Sequence, residues 1–178
     1  MEQIHATTIV AVKKGGKTAM AGDGQATLGQ SIVFKNNSVK VRRLFDSKVI
    51  VGFAGVVADA FALCNRFEDM LNKYNGNLMR SAVELASLWR LDKALRQLEA
   101  QMIVADSEQM LLISGTGEVL EPESGICAIG SGGEYAHAAA LALSENTKLS
   151  AKEIADKAIR IAAQICVFTN DHITLEEV

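Results

Sequence analysis

The sequence predicts a layered α+β domain in which sheets lie inside and pairs of helices lie outside. Three observations predict it. The length of 178 residues suits one domain. Stretches rich in β-branched residues form two strand-like blocks, and each block is followed by two segments with apolar residues at helical spacing. Periodicity alone does not choose among the layered topologies that fit this order.

Two blocks of strand-like sequence supply the predicted sheets. Residues 7–13 and 18–21 flank the turn Lys14-Gly15-Gly16-Lys17, and this spacing predicts a hairpin. The other predicted strands are residues 39–45, 48–53, 101–106, 110–114, 126–129 and 172–177.

Four segments carry the helical spacing. The first predicted helix covers residues 56–74 and ends at Asn75-Gly76. Asn77 is predicted to cap the second helix, which runs to about residue 100 and includes Leu95 and Leu98. Ser131-Gly132-Gly133-Glu134 and Ser150-Ala151-Lys152-Glu153 match the capping-box pattern and predict the starts of the third and fourth helices.

Composition excludes several classes of function. The net charge is −3, with 18 Lys+Arg against 21 Asp+Glu, which argues against nucleic acid as the main partner. The longest apolar run, residues 49–58, is too short for a membrane helix, and residues 1–3 lack the basic start of a signal peptide. We therefore expect a cytoplasmic protein. Cys64, Cys127 and Cys166 form no C-x-x-C pair, so buried reduced thiols are expected rather than a zinc or redox site.

Common catalytic and nucleotide-binding motifs are missing. The sequence has no P-loop, no dinucleotide fingerprint, no H-E-x-x-H and no G-x-S-x-G, and its three histidines are scattered. The run from Gly130 to Gly133 could form a phosphate cradle, but it lacks the P-loop lysine. We therefore expect the chain itself to bind no ATP.

The N-terminus permits two interpretations. Residues 1–6 lead directly into Thr7-Thr8, which is either a frayed end followed by an ordinary strand or the site of a cleavage after Ala6. Cleavage would give Thr7 both a hydroxyl nucleophile and a free α-amine. An α-amine has a pKa near 8, which suits a general base at neutral pH. This is the threonine form of the nucleophile–base pair.

Seven short strings, in order along the chain, resemble the HslV (ClpQ) peptidase family, the bacterial relatives of proteasome β-subunits. Each string is weak alone, and together they are specific. The strings are Thr7-Thr8-Ile9-Val10, Ala21-Gly22-Asp23-Gly24-Gln25-Ala26-Thr27, Lys40-Val41-Arg42-Arg43-Leu44, Gly52-Phe53-Ala54-Gly55, Ala58-Asp59-Ala60, Gly130-Ser131-Gly132-Gly133 and Ile165-Cys166-Val167-Phe168-Thr169-Asn170.

The resemblance implies a catalytic set. Thr7 matches the nucleophile, Asp23 the aspartate that orients groups around it, and Lys40 a buried lysine that lowers the pKa of the neighbouring amine. Gly52 matches a glycine whose N–H faces the oxyanion, and Ser131 matches a serine beside the amine. Taken alone, these residues also fit an Asp-Gly turn, a solvated basic run at 40–43, a strand-end glycine and a helix N-cap.

The resemblance also implies a fold, a cation and an assembly. The fold is the four-layer αββα sandwich of N-terminal-nucleophile hydrolases, formed by residues 7–178 after removal of the leader 1–6. No cofactor is expected for the chemistry. A structural sodium ion is implied at the carbonyls of Ala163, Cys166 and Thr169, although the first position is commonly glycine in the family. Two stacked six-membered rings would receive unfolded proteins from an HslU-type hexameric ATPase, which uses the ATP.

Two rival interpretations stay open. The chain could be a small-molecule amidase with the same nucleophile chemistry, which would not be stimulated by an ATPase. It could also be a non-catalytic ring subunit that keeps its leader. The joint presence of Thr7, Asp23, Lys40 and Ser131 favours a peptidase over a scaffold.

Overall fold

A computed structural model describes residues 4–5, 7–29, 31–55, 57–92 and 100–178. The helices are α1 (Val57–Lys73), α2 (Leu78–Leu91), α3 (Gly133–Asn146) and α4 (Ala151–Ile165). The strands are β1 (Ile4–His5), β2 (Thr8–Lys14), β3 (Lys17–Gly22), β4 (Ala26–Leu28), β5 (Ile32–Lys35), β6 (Val41–Leu44), β7 (Val49–Ala54), β8 (Gln101–Ala105), β9 (Met110–Ser114), β10 (Val119–Leu120), β11 (Ile126–Gly130) and β12 (Thr174–Glu177).

Two antiparallel sheets form the centre of the molecule. The five-stranded sheet has the order β10-β9-β8-β7-β6, and the four-stranded sheet has the order β11-β2-β3-β12. The predicted hairpin joins β2 to β3, with Lys14 opposite Lys17. Gly15 and Gly16 both have positive φ, 64° and 78°, the backbone of a two-residue type I′ turn, which explains the glycine pair.

Strand β2 is buried on both faces, and its alternation assigns each face to a different layer. Ile9 and Ala11 belong to the apolar cluster between the two sheets. Val10 and Val12 belong to the cluster that α3 and α4 form on the outer face of the four-stranded sheet. Because successive side chains in a strand point to opposite faces, the continuous apolar run of β2 reflects burial on both sides.

Helices cover the outer face of each sheet. Phe67 of α1 and Trp89 of α2 are fully buried in one cluster with Val51 of the five-stranded sheet. Helices α3 and α4 cover the four-stranded sheet in the same way. The order of layers is therefore helices, sheet, sheet, helices, and the predicted αββα sandwich is confirmed.

Two of the predicted helix caps are confirmed. Asn77 accepts a hydrogen bond from the backbone N–H of Arg80 at 2.9 Å, at the start of α2. Ser150 and Glu153 form the reciprocal capping box that begins α4. Such caps satisfy backbone donors that have no partner within the helix, each worth about 1 kcal/mol.

The predicted capping box at the start of α3 is wrong. The N-cap of α3 is Gly132, and no side chain of the described residues caps the helix. The N–H of Ser131 donates to the Thr7 carbonyl and the N–H of Gly132 donates to the Thr8 hydroxyl. This segment is therefore fixed by its bonds to the start of β2 instead of by a local cap.

Helix α2 is shorter than predicted. It ends at Leu91, because Asp92 has extended backbone angles, φ −75° and ψ 120°, that end the helical run. Leu95 and Leu98, which were assigned to this helix, lie outside the described residues.

A third, smaller sheet was not predicted. It has the order β1-β4-β5, so two residues of the leader pair with β4. Strand β4 has three residues, and the four residues of β5 are all exposed. Strands of two to four residues are too short to show the alternating pattern from which a strand is predicted.

Candidate active site

Thr7 lies where β2 meets the glycine-rich turn before α3. It is buried, and its carbonyl oxygen accepts a hydrogen bond from the Ser131 N–H at 2.8 Å. Gly130 pairs with Thr8 and has a φ of 89°. A Cβ added to Gly130 would lie 1.8 Å from the Thr7 carbonyl oxygen, so only glycine permits this approach. In the uncleaved chain, the nitrogen of Thr7 is a peptide amide bonded to Ala6.

Asp23, which follows β3, is the anchor of the site. Its side chain is 0% exposed, and the Thr8 N–H donates to Oδ1 at 2.8 Å. Oδ2 accepts the N–H groups of Gln25 at 2.9 Å and of Asn170 at 3.3 Å. The Asp23 N–H in turn donates to the Thr8 carbonyl at 3.1 Å. An Asp-Gly turn explains the local bond from Gln25 but not the long-range bonds from Thr8 and Asn170, which agree with the predicted orienting role of the aspartate.

Lys40 forms the ion pair of the site. Its Nζ lies 2.7 Å from Asp23 Oδ1 and also donates to the Gln25 carbonyl, and its side chain is only 8% exposed. Burial lowers the pKa of Lys40 below its ordinary value, and the Asp23 carboxylate partly opposes that shift. The interpretation of residues 40–43 as one solvated basic run is wrong for Lys40.

The neighbouring arginines serve other contacts. Arg43 pairs with Glu176 at 2.5 Å, which ties β6 to the C-terminal strand. The guanidinium of Arg42 lies 4.1 Å from the centre of the Phe61 ring on α1. Only Lys40 of the basic run therefore joins the site.

The hydroxyl of Thr8 was not predicted to matter. Thr8 is fully buried, its Oγ1 accepts the Gly132 N–H at 2.9 Å, and it lies 2.7 Å from Thr169 Oγ1. Thr169 was considered only for its carbonyl. These contacts join the start of β2, the turn before α3 and the loop after α4, so three distant segments fix the residue that follows Thr7.

Ser131 comes close to Thr7 through its backbone. It lies one residue before the N-cap of α3, and its side chain is exposed. Its N–H bond to the Thr7 carbonyl brings it next to the candidate nucleophile. The predicted role of its hydroxyl beside the amine stays a prediction.

Gly52 is placed differently from the other candidates. It lies inside β7, opposite Val41 of β6 and Ile103 of β8. The next N–H along, that of Phe53, points to the β6 side, where it donates to the Lys40 carbonyl. Because N–H directions alternate along a strand, the Gly52 N–H points toward β8 and into the sheet.

Packing explains why position 52 is glycine. A Cβ there would lie 2.7 Å from both Ile9 Cγ2 and Met20 Sδ in the layer between the sheets. The structure therefore does not support the predicted oxyanion role of Gly52, and sheet packing accounts for the residue.

The predicted cation site lies at the end of α4. Ala163 is in the last turn, whose carbonyls have no N–H partner within the helix. Cys166 follows the helix, and its carbonyl accepts the Thr169 N–H at 3.1 Å. Carbonyl oxygens at the negative end of a helix dipole fit a hard monovalent cation. The described residues contain no cluster of three His, Cys, Asp or Glu that could hold another metal.

The three cysteines are buried, as the sequence predicts. All three cysteines are free and buried, and burial raises the pKa of Cys64 and of Cys127 to about 11. Such thiols stay protonated and unreactive near neutral pH.

Within the part of the chain that the structure describes, no helix is long and apolar enough to cross a membrane.

Comparison with known proteins gives one consistent family. The profile of the proteasome subunit family matches residues 4–178. The chain is 62% identical to the "ATP-dependent protease subunit HslV" of Listeria innocua serovar 6a, over 98% of this chain and 99% of the relative. It is also 62% identical to the subunit of the same name from a Geobacillus strain, over 99% of both chains.

Solved structures agree. The crystal structure of eukaryotic HslV from Trypanosoma brucei superposes with a TM-score of 0.90 at 48% identity, covering 96% of this chain and 98% of that one. Thiobacillus denitrificans BPH superposes with a TM-score of 0.75 at 19% identity, covering 96% and 97%, which shows a shared fold.

Proposed function

The chain belongs to the proteasome subunit family, and from this premise we propose that it is the threonine endopeptidase subunit of an ATP-dependent protease, with Thr7 as its nucleophile. Cleavage after Ala6 gives Thr7 its free amine. The observation that carries the assignment is the buried Asp23–Lys40 pair, which is hydrogen-bonded to the residue directly after Thr7.

The reaction balances without an added cofactor. The Thr7 hydroxyl attacks the peptide carbonyl, and its own α-amine accepts the proton, directly or through water. The proton passes to the leaving amine as the C–N bond breaks, which leaves an ester on Thr7. Water then attacks the ester, releases the acid product and restores the threonine.

Lys40 and Asp23 prepare the amine for this work. The Lys40 ammonium disfavours a second positive charge nearby, so it keeps the amine of Thr7 neutral and able to accept a proton. Asp23 holds both Lys40 and the backbone of Thr8 at fixed distances. Ser131, whose backbone N–H bonds to the Thr7 carbonyl, would assist beside the amine.

A sodium ion fits the end of α4 and would supply fixed positive charge there. The residues that would hold it are Ala163, Cys166 and Thr169, through their carbonyl oxygens. The Thr7 hydroxyl and α-amine, together with water, carry every step of the reaction.

The assembly we propose is a pair of stacked six-membered rings in the cytoplasm. A hexameric ATPase of the HslU type would unfold proteins and pass them to the chamber, and the ATP would be used by that partner. The name of the relatives, a subunit of an ATP-dependent protease, supports the ATP-using partner. Analytical ultracentrifugation of the purified protein tests the proposed dodecamer directly, and an active monomer would contradict it.

Thr7→Ala tests the nucleophile. We expect loss of peptide hydrolysis with the same sedimentation profile as the wild type, because the methyl side chain fits the same buried space. A fluorogenic peptide amide, assayed with and without the ATPase, gives the rate. Unchanged turnover in the purified variant would refute the assignment.

The same assay separates the rival functions. A small-molecule amidase would cleave small amides with no stimulation by the ATPase. A non-catalytic ring subunit would keep residues 1–6 and show no hydrolysis in any assembly. Stimulated hydrolysis by a chain that begins at Thr7 excludes both.

A further inference from the structure

Asn170 makes more contacts across the site than its half-buried position suggests. Its Oδ1 accepts the N–H of Gly24 at 3.0 Å and the N–H of His172 at 3.2 Å. Its Nδ2 donates to the Asn36 carbonyl at 2.9 Å. Its own backbone N–H donates to Asp23 Oδ2 at 3.3 Å. Both ends of the amide are used, and each faces a backbone partner that only that end can satisfy.

These contacts join the two segments that supply the buried ion pair. Gly24 follows Asp23 directly, and Asn36 begins the segment that leads to Lys40. A second bond, from the Ser38 N–H to the Gly24 carbonyl at 2.9 Å, joins the same two segments. Asn170 therefore bridges the backbone of the aspartate turn to the backbone of the lysine loop.

The junction is too tight for a larger residue at position 24. A Cβ on Gly24 would lie 2.4 Å from the Asn36 carbonyl oxygen and 3.0 Å from the His172 carbonyl oxygen. Since both atoms belong to the backbone, a side chain there must move one of the loops. The close approach shows that the loops of Asp23, Lys40 and Asn170 are packed against one another at their main chains.

We propose that Asn170 is a positioning residue, which sets the separation of Asp23 and Lys40 by bridging Gly24 to Asn36. This inference rests on the proposed function, because the ion pair that Asn170 positions acts on Thr7. We assign Asn170 no direct part in making or breaking bonds. Its effect reaches the reaction through the placement of the ion pair.

Asn170→Asp is the sharpest variant. It has the same shape and keeps the acceptor for Gly24, but it turns an oxygen instead of an N–H₂ group toward the Asn36 carbonyl. The bridge is then replaced by two acceptors facing each other. Asn170→Ala removes both ends of the bridge. Gly24→Ala pushes the same two loops apart, because its Cβ would overlap the Asn36 carbonyl oxygen.

Two controls are available in the chain. Asn36→Ala keeps the backbone carbonyl that accepts from Asn170 and removes only the Asn36 side chain, whose Oδ1 lies 3.4 Å from Nδ2. Asn146→Ala removes an asparagine amide that bonds to the Ala142 carbonyl, both residues of α3. Both controls should keep kcat within about twofold of the wild type.

The experiment measures kcat and KM for hydrolysis of a fluorogenic peptide amide by assembled enzyme, with Thr7→Ala alongside. We expect Asn170→Asp and Asn170→Ala to lower kcat at least tenfold while KM changes less than threefold. A purely structural residue would lower the melting temperature and leave the kcat of the assembled enzyme unchanged.

Each outcome decides something. Wild-type kcat in assembled Asn170→Asp overturns the inference, and that variant decides alone if Asn170→Ala does not assemble. A tenfold loss in Asn36→Ala as well would overturn the specific bridge to the backbone. Turnover in Thr7→Ala would instead refute the proposed function, so the two failures can be told apart.

Discussion

Replacing Lys40 with methionine removes one half of a buried ion pair and leaves a similar volume in its place. The Asp23 carboxylate, 0% exposed, then loses its charged partner. An unpaired buried charge costs about 3–5 kcal/mol. Three backbone N–H groups still donate to Asp23, so we expect the lower end, about 3 kcal/mol.

For a domain of this size, about 3 kcal/mol corresponds to a fall in melting temperature of roughly 6–12 °C. The scan should use one protein concentration, because dissociation of an oligomer is linked to its unfolding. We expect Lys40→Met to lower peptide hydrolysis by at least about 100-fold in the assembled enzyme, the size of a lost acid–base contribution.

The comparison with Arg43→Met gives the matched control. Arg43 lies in the same basic run, but its ion pair with Glu176 is about one-third exposed, so its loss should cost about 0–1 kcal/mol and leave kcat unchanged. A Lys40→Met enzyme with wild-type melting temperature and rate would refute both the buried-pair argument and the role of Lys40 in the mechanism.

Two further predictions concern the same site. Because burial lowers the pKa of Lys40, we expect kcat/KM to fall on the alkaline side at a pH below 10.5, the ordinary lysine value, as the ammonium is lost. Between that lowered pKa and 10.5 the unfolded chain binds more protons than the folded chain, so the contribution of Lys40 to the free energy of unfolding rises with pH. Parallel pH profiles of kcat/KM and of stability, for the wild type and Lys40→Met, measure the two effects. Thr8→Val should lower the melting temperature by a few degrees, since it leaves the buried Gly132 N–H without its acceptor. Thr18→Val should not, because it removes a buried hydroxyl that has no hydrogen-bond partner among the described residues.

The layered fold could be predicted because its signals are local. The glycine pair at 15 and 16, the cap at Asn77 and the box at Ser150 each depend on a few adjacent residues, and each is confirmed. The small sheet of β1, β4 and β5 was missed because its strands are short and β5 has no buried face. The cap at Ser131 was wrong because tertiary bonds to β2 compete with the local pattern.

The site was predictable only in part for the same reason. Asp23 and Lys40 were found through the family strings, and the structure brings them together. The bonds of Thr8 to Thr169 and of Asn170 to Asn36 join residues 161 and 134 positions apart, and no spacing rule reports such pairs. The family string identifies Gly52 as an oxyanion donor. The direction of its N–H, however, depends on how β7 pairs with β6 and β8, which the string does not contain.

Thr7 as the nucleophile is tested by the mass of the purified enzyme before and after reaction with a peptide vinyl sulfone, followed by peptide mapping. We expect a chain that begins at Thr7 and carries a single adduct on that residue, with hydrolysis lost in proportion to labelling. An active enzyme that keeps residues 1–6, or an inactivating adduct on any other side chain, would contradict it.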